Sequence, residues 1–493
     1  MGIVIKQSIH NTLITYLGFL VGAVNILFLY TNFLSETYFG LVSYILSTAN
    51  ILMPLMAFGV HNTIVKFFTK YKTRVQQQRF LGFSLLLPLI VVIPFGVIGQ
   101  LAYESISTWL SKENTIIKDY VWLIYLTAIA FAYFEIFYAW SKVHLHSVFG
   151  NFIKEVFHRV AIMLLLFVLH FDYITIDQFI YATVLIYFLR LIIMAFYAFS
   201  LKKPSFQIKS LTDKFTMVKY SGLIIIAGSV ALIILELDKF MIGQLVPSLS
   251  NVAYYSVAIF IATVIDVPLR SMQQITNSLT AQYLNDKNKK ELDLLYKKSS
   301  ITLLIVSGLI FLLILINIKS LYAIMPNNYS EGLFVVFIIS VAKLFNSVLG
   351  NNNSILFYSD YYRMVLFFGV IIAICTVVMN LVFIPAFGLE GAALASCITI
   401  FIYNSIKLWF VWLKFKISPF TKQTGQTISV IVLLLIAFYF WDVIEYPFLS
   451  IVIKTALCSL FYAYLVFKFK LSTDIYFIMN QWLLKIKSPL NRG

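Results

Sequence analysis

The sequence predicts an all-α integral membrane protein with about fourteen transmembrane helices. Three observations carry this. Hydrophobic residues make up 61% of the chain and charged residues only 12%, about half the charged share of an average soluble protein. Mean hydropathy is +0.90. The apolar stretches are continuous runs of about twenty residues, the length that crosses a bilayer as a helix. Barrel strands would instead alternate over about ten residues.

Taken in order, the runs fall near 11–31, 40–60, 80–102, 119–140, 156–171, 178–200, 218–236, 252–271, 300–318, 332–350, 364–384, 390–412, 426–442 and 446–467. The fifth is short, and only the stretch from Phe171 to Asp177 parts it from the sixth. Asp442 to Glu445 separates the last two. Between runs seven and eight, Leu235-Glu236-Leu237-Asp238-Lys239-Phe240-Met241-Ile242-Gly243 reads as a polar elbow at a membrane face, followed by the turn-rich Pro247 to Asn251. Glu236, Asp238 and Lys239 are expected at an outer mouth. Asp286 to Lys298, with its leucines, tyrosine and charges, predicts a short helix lying on the lipid headgroups. The tail from Thr473 to Lys487 reads similarly, with Ile475, Ile478, Met479, Trp482 and Leu483 as an apolar face. None of these connections has room for a catalytic domain.

The net charge of +16 belongs to topology rather than to nucleic acid. Basic residues concentrate in the loops after runs two, six and eight (Lys66, Lys70, Lys72, Arg74 and Arg79; Lys202 to Lys219; Arg270 to Lys298) and in the C-terminal tail. Lys112, Lys118, Lys239 and Lys319 lie on the other side. By the positive-inside rule both termini are expected in the cytoplasm. The first run is too long for a signal-peptide core, so it is expected to stay in the mature protein. Cys375, Cys397 and Cys458 sit inside apolar runs and have neither disulfide nor metal spacing.

A weak internal repeat is visible six runs apart. Leu34-Ser35-Glu36-Thr37-Tyr38-Phe39-Gly40 joins runs one and two, and Leu249-Ser250-Asn251-Val252-Ala253-Tyr254-Tyr255 joins runs seven and eight. An even offset relates the halves by an axis along the membrane normal. Three stretches then carry a family likeness: Tyr38-Phe39-Gly40-Leu41 followed by Gly59 and the basic loop from Lys66; Leu237 to Gly243 with Val252 to Ala258; and Ile384-Pro385-Ala386-Phe387-Gly388-Leu389-Glu390-Gly391-Ala392-Ala393-Leu394-Ala395-Ser396. The small residues of the third suit close helix packing. In order and spacing these resemble the polysaccharide flippases, exporters of O-antigen and other lipid-linked oligosaccharides in the MATE-like multidrug/oligosaccharidyl-lipid/polysaccharide exporter superfamily.

The resemblance implies two six-helix lobes, 1–210 and 211–415, flanking a central cavity. It adds two further transmembrane helices over 416–470 and leaves 471–493 as a cytoplasmic interfacial tail. It implies a bacterial inner-membrane protein that moves undecaprenyl (polyprenyl) pyrophosphate-linked sugars outward for lipopolysaccharide or other surface polysaccharide. Its partners would be that lipid, membrane lipids, and the polymerase and glycosyltransferases of the pathway. No cofactor is implied beyond coupling to a proton or sodium gradient.

An ionisable residue at bilayer depth costs about 2.5–3.5 kcal/mol on insertion scales and needs a reason. Arg190 and Lys343 lie mid-run, one in each half, and are the leading candidates to receive a pyrophosphate; snorkelling or an ion pair between lobes is the alternative. Lys454 lies in the last run, where a structural role or a lipid-tail groove competes. Glu135 is a candidate proton-exchanging acid, with a partner such as Lys142 as the alternative. Asp266 is the other acid to test for ion coupling, although Arg270 four residues on would sit on the same helix face. Asn25, Asn50, Asn346, Asn380 and Asn404 offer amides either to sugar hydroxyls or to neighbouring helices. His144, His146 and His158 lack a cysteine, and their only nearby acid, Glu155, comes with Lys154 and Arg159, so an interfacial loop is read in preference to a metal site. No phosphate-cradling glycine loop is present. Two other functions stand beside the flippase: an ion-coupled multidrug antiporter, which would favour cavity acids, and a membrane sugar polymerase or glycosyltransferase, which would need a larger outer loop.

Overall fold

A computed structural model of the chain describes residues 2–207, 211, 213–228, 230–441, 445–477 and 480–481. Among these every regular element is helical. Among the described residues eleven helices are long and apolar enough to cross a bilayer, three fewer than the sequence count. The difference falls at three places. The helical run 147–170 carries Lys154, Glu155 and Arg159 and does not pass as an apolar span. Lys214–Gly228 and Val230–Leu245 flank residue 229, which lies outside the described residues. Arg363–Phe415 runs for 53 residues as one apolar helix. At 1.5 Å per residue that is about 80 Å, against a hydrocarbon core of about 30 Å. It is broken at Gly388, whose φ of 55° and ψ of −127° are non-helical.

The chain divides into two compact units: Met1–Ser256 with Gly369–Ala392, and Val257–Phe368 with Ala393–Gly493. In the first, Val121–Val143 is the central helix and packs against Glu36–Met56 and Ile176–Leu201. Trp140, Phe134, Phe80 and Met194 fill the space around it and are essentially fully buried. Glu36–Met56 ends at a turn through Ala57, Phe58 and Gly59, where Phe58 and Gly59 both take positive φ. Val60–Phe67 then resumes at a new angle. Two π-helical turns, Asn25–Leu29 and Ile153–Phe157, lie in neighbouring helices of this unit. Asn25 Nδ2 donates to the Arg159 carbonyl at 2.7 Å, tying the first π turn to the helix that follows the second.

The two repeat-like stretches meet within this unit. Thr37 Oγ1 lies 3.3 Å from Ser250 Oγ. A Cβ on Gly40 would fall 1.9 Å from the Leu249 carbonyl oxygen, so only glycine permits this backbone approach. The polar elbow is relocated: Val230–Leu245 is continuous helix, and the turn comes at Pro247 to Leu249. Glu236 and Lys239 pair along that helix at 3.0 Å.

In the second unit, Lys289–Ile324 is a 36-residue helix that packs against Leu333–Val348, Lys422–Tyr439 and Pro447–Lys468. Leu304, Leu312, Ile431, Leu434 and Tyr462 form its apolar core. The Tyr462 hydroxyl satisfies the Ile305 carbonyl at 2.9 Å. The short headgroup helix expected at Asp286 to Lys298 is instead the start of this long helix. Asn288 caps it, and Leu292 and Tyr296 are buried against Ile355 and Val411. The tail positions Ile478, Met479, Trp482, Leu483, Lys485 and Lys487, like Asp442, lie outside the described residues.

Candidate functional site

A cavity of about 470 Å³ lies inside the first unit and gathers its intramembrane polar groups. Glu36–Met56 contributes Asn50, and the helix beyond the Phe58–Gly59 turn contributes His61 and Asn62. Val121–Val143 brings Glu135, Ile176–Leu201 brings Tyr187 and Arg190, and Val230–Leu245 brings Glu236. Lys154, Glu155, His158 and Arg159 come from the second π turn and the helix that follows it. These last four sit in the stretch read as an interfacial loop, and that reading is corrected. Their spacing is the signal: each of the pairs 154/158 and 155/159 is four residues apart, so the group shares one side of a helix.

The cavity's charges pair off, with one exception. Lys154 Nζ lies 2.6 Å from Glu135 Oε1. Arg159 lies 3.6 Å from Glu155 Oε2. Glu236 is held by Lys239. Arg190 has no carboxylate within ion-pair distance among the described residues, although Glu135 and Glu155 act on it from further off, and its Nε is a buried donor without a hydrogen-bond partner. Only 7% of Arg190 is exposed. Its guanidinium stacks on Phe134, 3.7 Å from the ring centroid, and Tyr187 lies 5.8 Å away. Stacking fixes the plane of the group and leaves its in-plane N–H donors open. Glu135 takes Lys154 rather than Lys142, whose ammonium sits 4.2 Å from the Tyr138 ring centroid. Asn50 lines the cavity, whereas Asn25 is used to bind helix to helix.

Lys343 belongs to the second unit and is in a different situation. Its ammonium is 2.8 Å from Asp266 Oδ2, and each of the two side chains is 9% exposed. Asn346 Nδ2 reaches Asp266 Oδ1 at 3.4 Å, and Asn404 Nδ2 reaches Asn346 Oδ1 at 3.3 Å. The two candidates Lys343 and Asp266 are therefore each other's partners. Arg270, the neighbour expected to neutralise Asp266, is exposed. Lys454 is buried in Pro447–Lys468 among the apolar residues of that unit. Two groups escaped the sequence reading. Asp238 is fully buried instead of ringing an outer mouth; it accepts from the Tyr255 hydroxyl at 2.5 Å and from Asn380 Nδ2 at 2.7 Å. Lys407 is 2% exposed and donates to Asn353 Oδ1 at 2.8 Å.

A second cavity in the first unit, about 320 Å³, is lined by Phe95, Trp109, Trp122, Tyr125 and Phe240 among others and offers almost nothing polar. It cannot hold a charged group. The polar cavity can: it presents one stacked guanidinium, two ion pairs open to exchange, and the imidazoles of His61 and His158. Among the described residues no three His, Cys, Asp or Glu side chains cluster as a metal site would require.

A helical membrane protein with a charged cavity inside one helical unit has the form of a transporter, and the comparisons agree. Residues 4–276 match the family described as polysaccharide biosynthesis protein, and 224–330 match the MatE family. The chain belongs to the polysaccharide biosynthesis protein family. No curated protein matches it. Among solved structures it is similar to the lipid II flippase MurJ in an inward closed conformation, with a TM-score of 0.71 and 12% identity over 94% of this chain and 99% of that one. It is also similar to an inward-facing MATE multidrug resistance transporter, with a TM-score of 0.58 and 12% identity over 84% of this chain and 95% of that one. A MOP superfamily transporter from Pyrococcus furiosus gives the same four values. At such identities these likenesses establish a shared transporter fold.

Proposed function

We propose that the protein is a flippase. It carries a polyprenyl-pyrophosphate-linked oligosaccharide from the cytoplasmic to the outer leaflet of the bacterial inner membrane, for surface polysaccharide biosynthesis. The observation that carries the reading is Arg190: a buried, stacked guanidinium with no carboxylate in ion-pair contact, lining a polar cavity of about 470 Å³. The cargo's pyrophosphate is the missing anion, bound by charge-assisted N–H···O bonds in a site where water is scarce. Lys154 and Arg159, held in reserve by Glu135 and Glu155, are the second tier of phosphate contacts. Asn50 and Asn62 are placed to meet sugar hydroxyls, and the polyprenyl tail stays in lipid.

In this reading the protein is not an enzyme, and it works by alternating access of two six-helix lobes, 1–210 and 211–415, within a fourteen-span chain whose termini are cytoplasmic. A displaced Glu135 that takes a proton would couple transport to a proton gradient. The pathway's polymerase and glycosyltransferases are the expected partners. The cavity lining carries three carboxylates and three cations, and the one of these outside any ion pair is the cation Arg190, which favours an anionic cargo over the cationic compounds of a multidrug antiporter. The test is reconstitution into vesicles with a fluorescent lipid-linked oligosaccharide. Protein-dependent inner-to-outer movement is expected; its absence with the cognate lipid overturns the proposal.

A further inference from the structure

The second unit holds a polar seam that the transport reading does not use. It runs from the Lys343–Asp266 pair through Asn346 and Asn404 to a small cavity beside Lys407. That cavity has a volume of about 10 Å³, room for one water-sized group. None of the nine residues lining it is acidic. Lys407 is buried, and the contacts of its Nζ among the described residues are one amide oxygen and the Tyr403 ring, 3.8 Å from nitrogen to centroid. Asp266 cannot serve as its counter-ion, because Lys343 already holds that carboxylate.

The amides around the cavity are oriented in one sense. Asn346 is fixed by donating to Asp266, so its oxygen accepts from Asn404. Asn353 spends its oxygen on Lys407, and Asn352 accepts from the Tyr296 hydroxyl at 3.1 Å. The oxygens of Asn346, Asn352 and Asn353 are thus taken, while donors are left over. Asn352 Nδ2 is buried and unpartnered, with the residue only 2% exposed. The Gln273 amide has no hydrogen-bond partner among the described residues, and the ammonium has donors beyond its single bond. The open donors outnumber the two amide oxygens left open, those of Asn404 and Gln273, and no acid stands among the lining residues, so the cradle favours an acceptor.

We infer that this cradle binds one small monovalent anion of halide size, chloride under physiological conditions, held by Lys407, Asn352 and Gln273. The bound ion would hold the Lys407 amine in its protonated form, as a compensated pair in the apolar interior. It also closes the open donors in one step. The site is too small for a phosphate, so it is distinct in chemistry from the cargo cavity.

The test uses the full-length protein. Crystals grown with bromide replacing chloride are expected to show an anomalous peak within hydrogen-bond reach of Lys407 Nζ and Asn352 Nδ2. Thermal unfolding in detergent, at constant ionic strength, is expected to rise saturably when chloride replaces gluconate. At a hundredfold excess over the dissociation constant the folded-to-unfolded ratio should rise about a hundredfold. Lys407→Gln should abolish that dependence. An ordinary water in the cradle with no anomalous signal, equal stability in the two salts, or an unchanged chloride response in Lys407→Gln would each overturn the inference. The wild-type measurements decide the question even if the variant fails to fold.

Discussion

Arg190 is the residue on which the functional reading can be broken, and Arg190→Met is the substitution to use. Methionine keeps most of the buried volume and removes charge and donors together. Two terms set the effect on stability. Loss of the contact with Phe134, 3.7 Å from guanidinium to ring centroid, costs about 0.5–2 kcal/mol. Relief of a buried charge with no carboxylate in ion-pair contact offsets this, since the penalty for burying an ion is several kcal/mol. The variant is therefore expected to melt at or above the wild-type temperature. Binding should move the other way. Hydrogen bonds to a charged group contribute about 1.5–3 kcal/mol, so the affinity for a pyrophosphate-linked glycolipid should fall about tenfold to 150-fold. Arg190→Lys keeps the charge but loses the planar fork and the stacking, and should fall between the two. Both quantities are measurable on the purified protein in detergent, by thermal unfolding and by titration with the glycolipid. A stable Met variant with wild-type affinity would refute the cargo role, and a strongly destabilised one would refute the claim that the charge is unpartnered.

Lys343→Met leaves Asp266 buried and unpaired and should destabilise by about 3–5 kcal/mol, whereas adding Asp266→Leu should restore much of the loss; a double-mutant cycle of unfolding midpoints checks it. Transport by that double variant near the wild-type rate would mark the pair as structural. Gly40→Ala drives a methyl group into the Leu249 carbonyl and should cost about 1–3 kcal/mol. Gly222→Ala, in a helix with nothing within 4 Å of the new methyl group, should instead be neutral or gain up to about 1 kcal/mol, so the two melting points compared decide the packing claim. Glu135→Gln releases Lys154 and should tighten glycolipid binding while slowing turnover, measured as affinity and translocation rate on the same preparation.

The spans were legible because a twenty-residue apolar run fits little besides a membrane helix, and Arg190 was legible because a charge in mid-run stands out. Its surroundings were not. Lys154 and Glu155 made the stretch before the fifth run look like a loop, although their four-residue spacing to His158 and Arg159 already described one side of a helix. The local rule favoured Arg270 as the partner of Asp266, only four positions away; tertiary packing supplied Lys343, on another helix, at 2.8 Å. Asp238 looked like part of a solvated elbow because Glu236 and Lys239 flank it, and only the approach of Asn380 and Tyr255 makes it an internal node. Lys407 sits near the end of an apolar run, with Lys414 and Lys416 close behind. That pattern reads as an interfacial lysine; Asn346 and Asn404 stood out as amides inside apolar runs, but nothing in the sequence brings them to Lys407.

The pairing inside the polar cavity bears on how a flippase can bind an anion and still let it go. Two opposite charges about 4 Å apart interact by about 4 kcal/mol at the effective dielectric of a partly hydrated site, equivalent to nearly a thousandfold in occupancy. One free guanidinium thus goes far toward replacing the hydration that a pyrophosphate loses when it leaves the headgroup zone. Three free cations would hold it too long. The carboxylates of Glu135 and Glu155 pair with Lys154 and Arg159; under the proposed function they remove that excess and would return to those cations as the cargo departs. Neutralising Glu135 leaves nothing to compete for Lys154, so the same substitution that deepens the bound state raises the barrier to release. This is why affinity and turnover should move in opposite directions in Glu135→Gln. A variant in which both rose together would show that the carboxylate takes no part in the exchange.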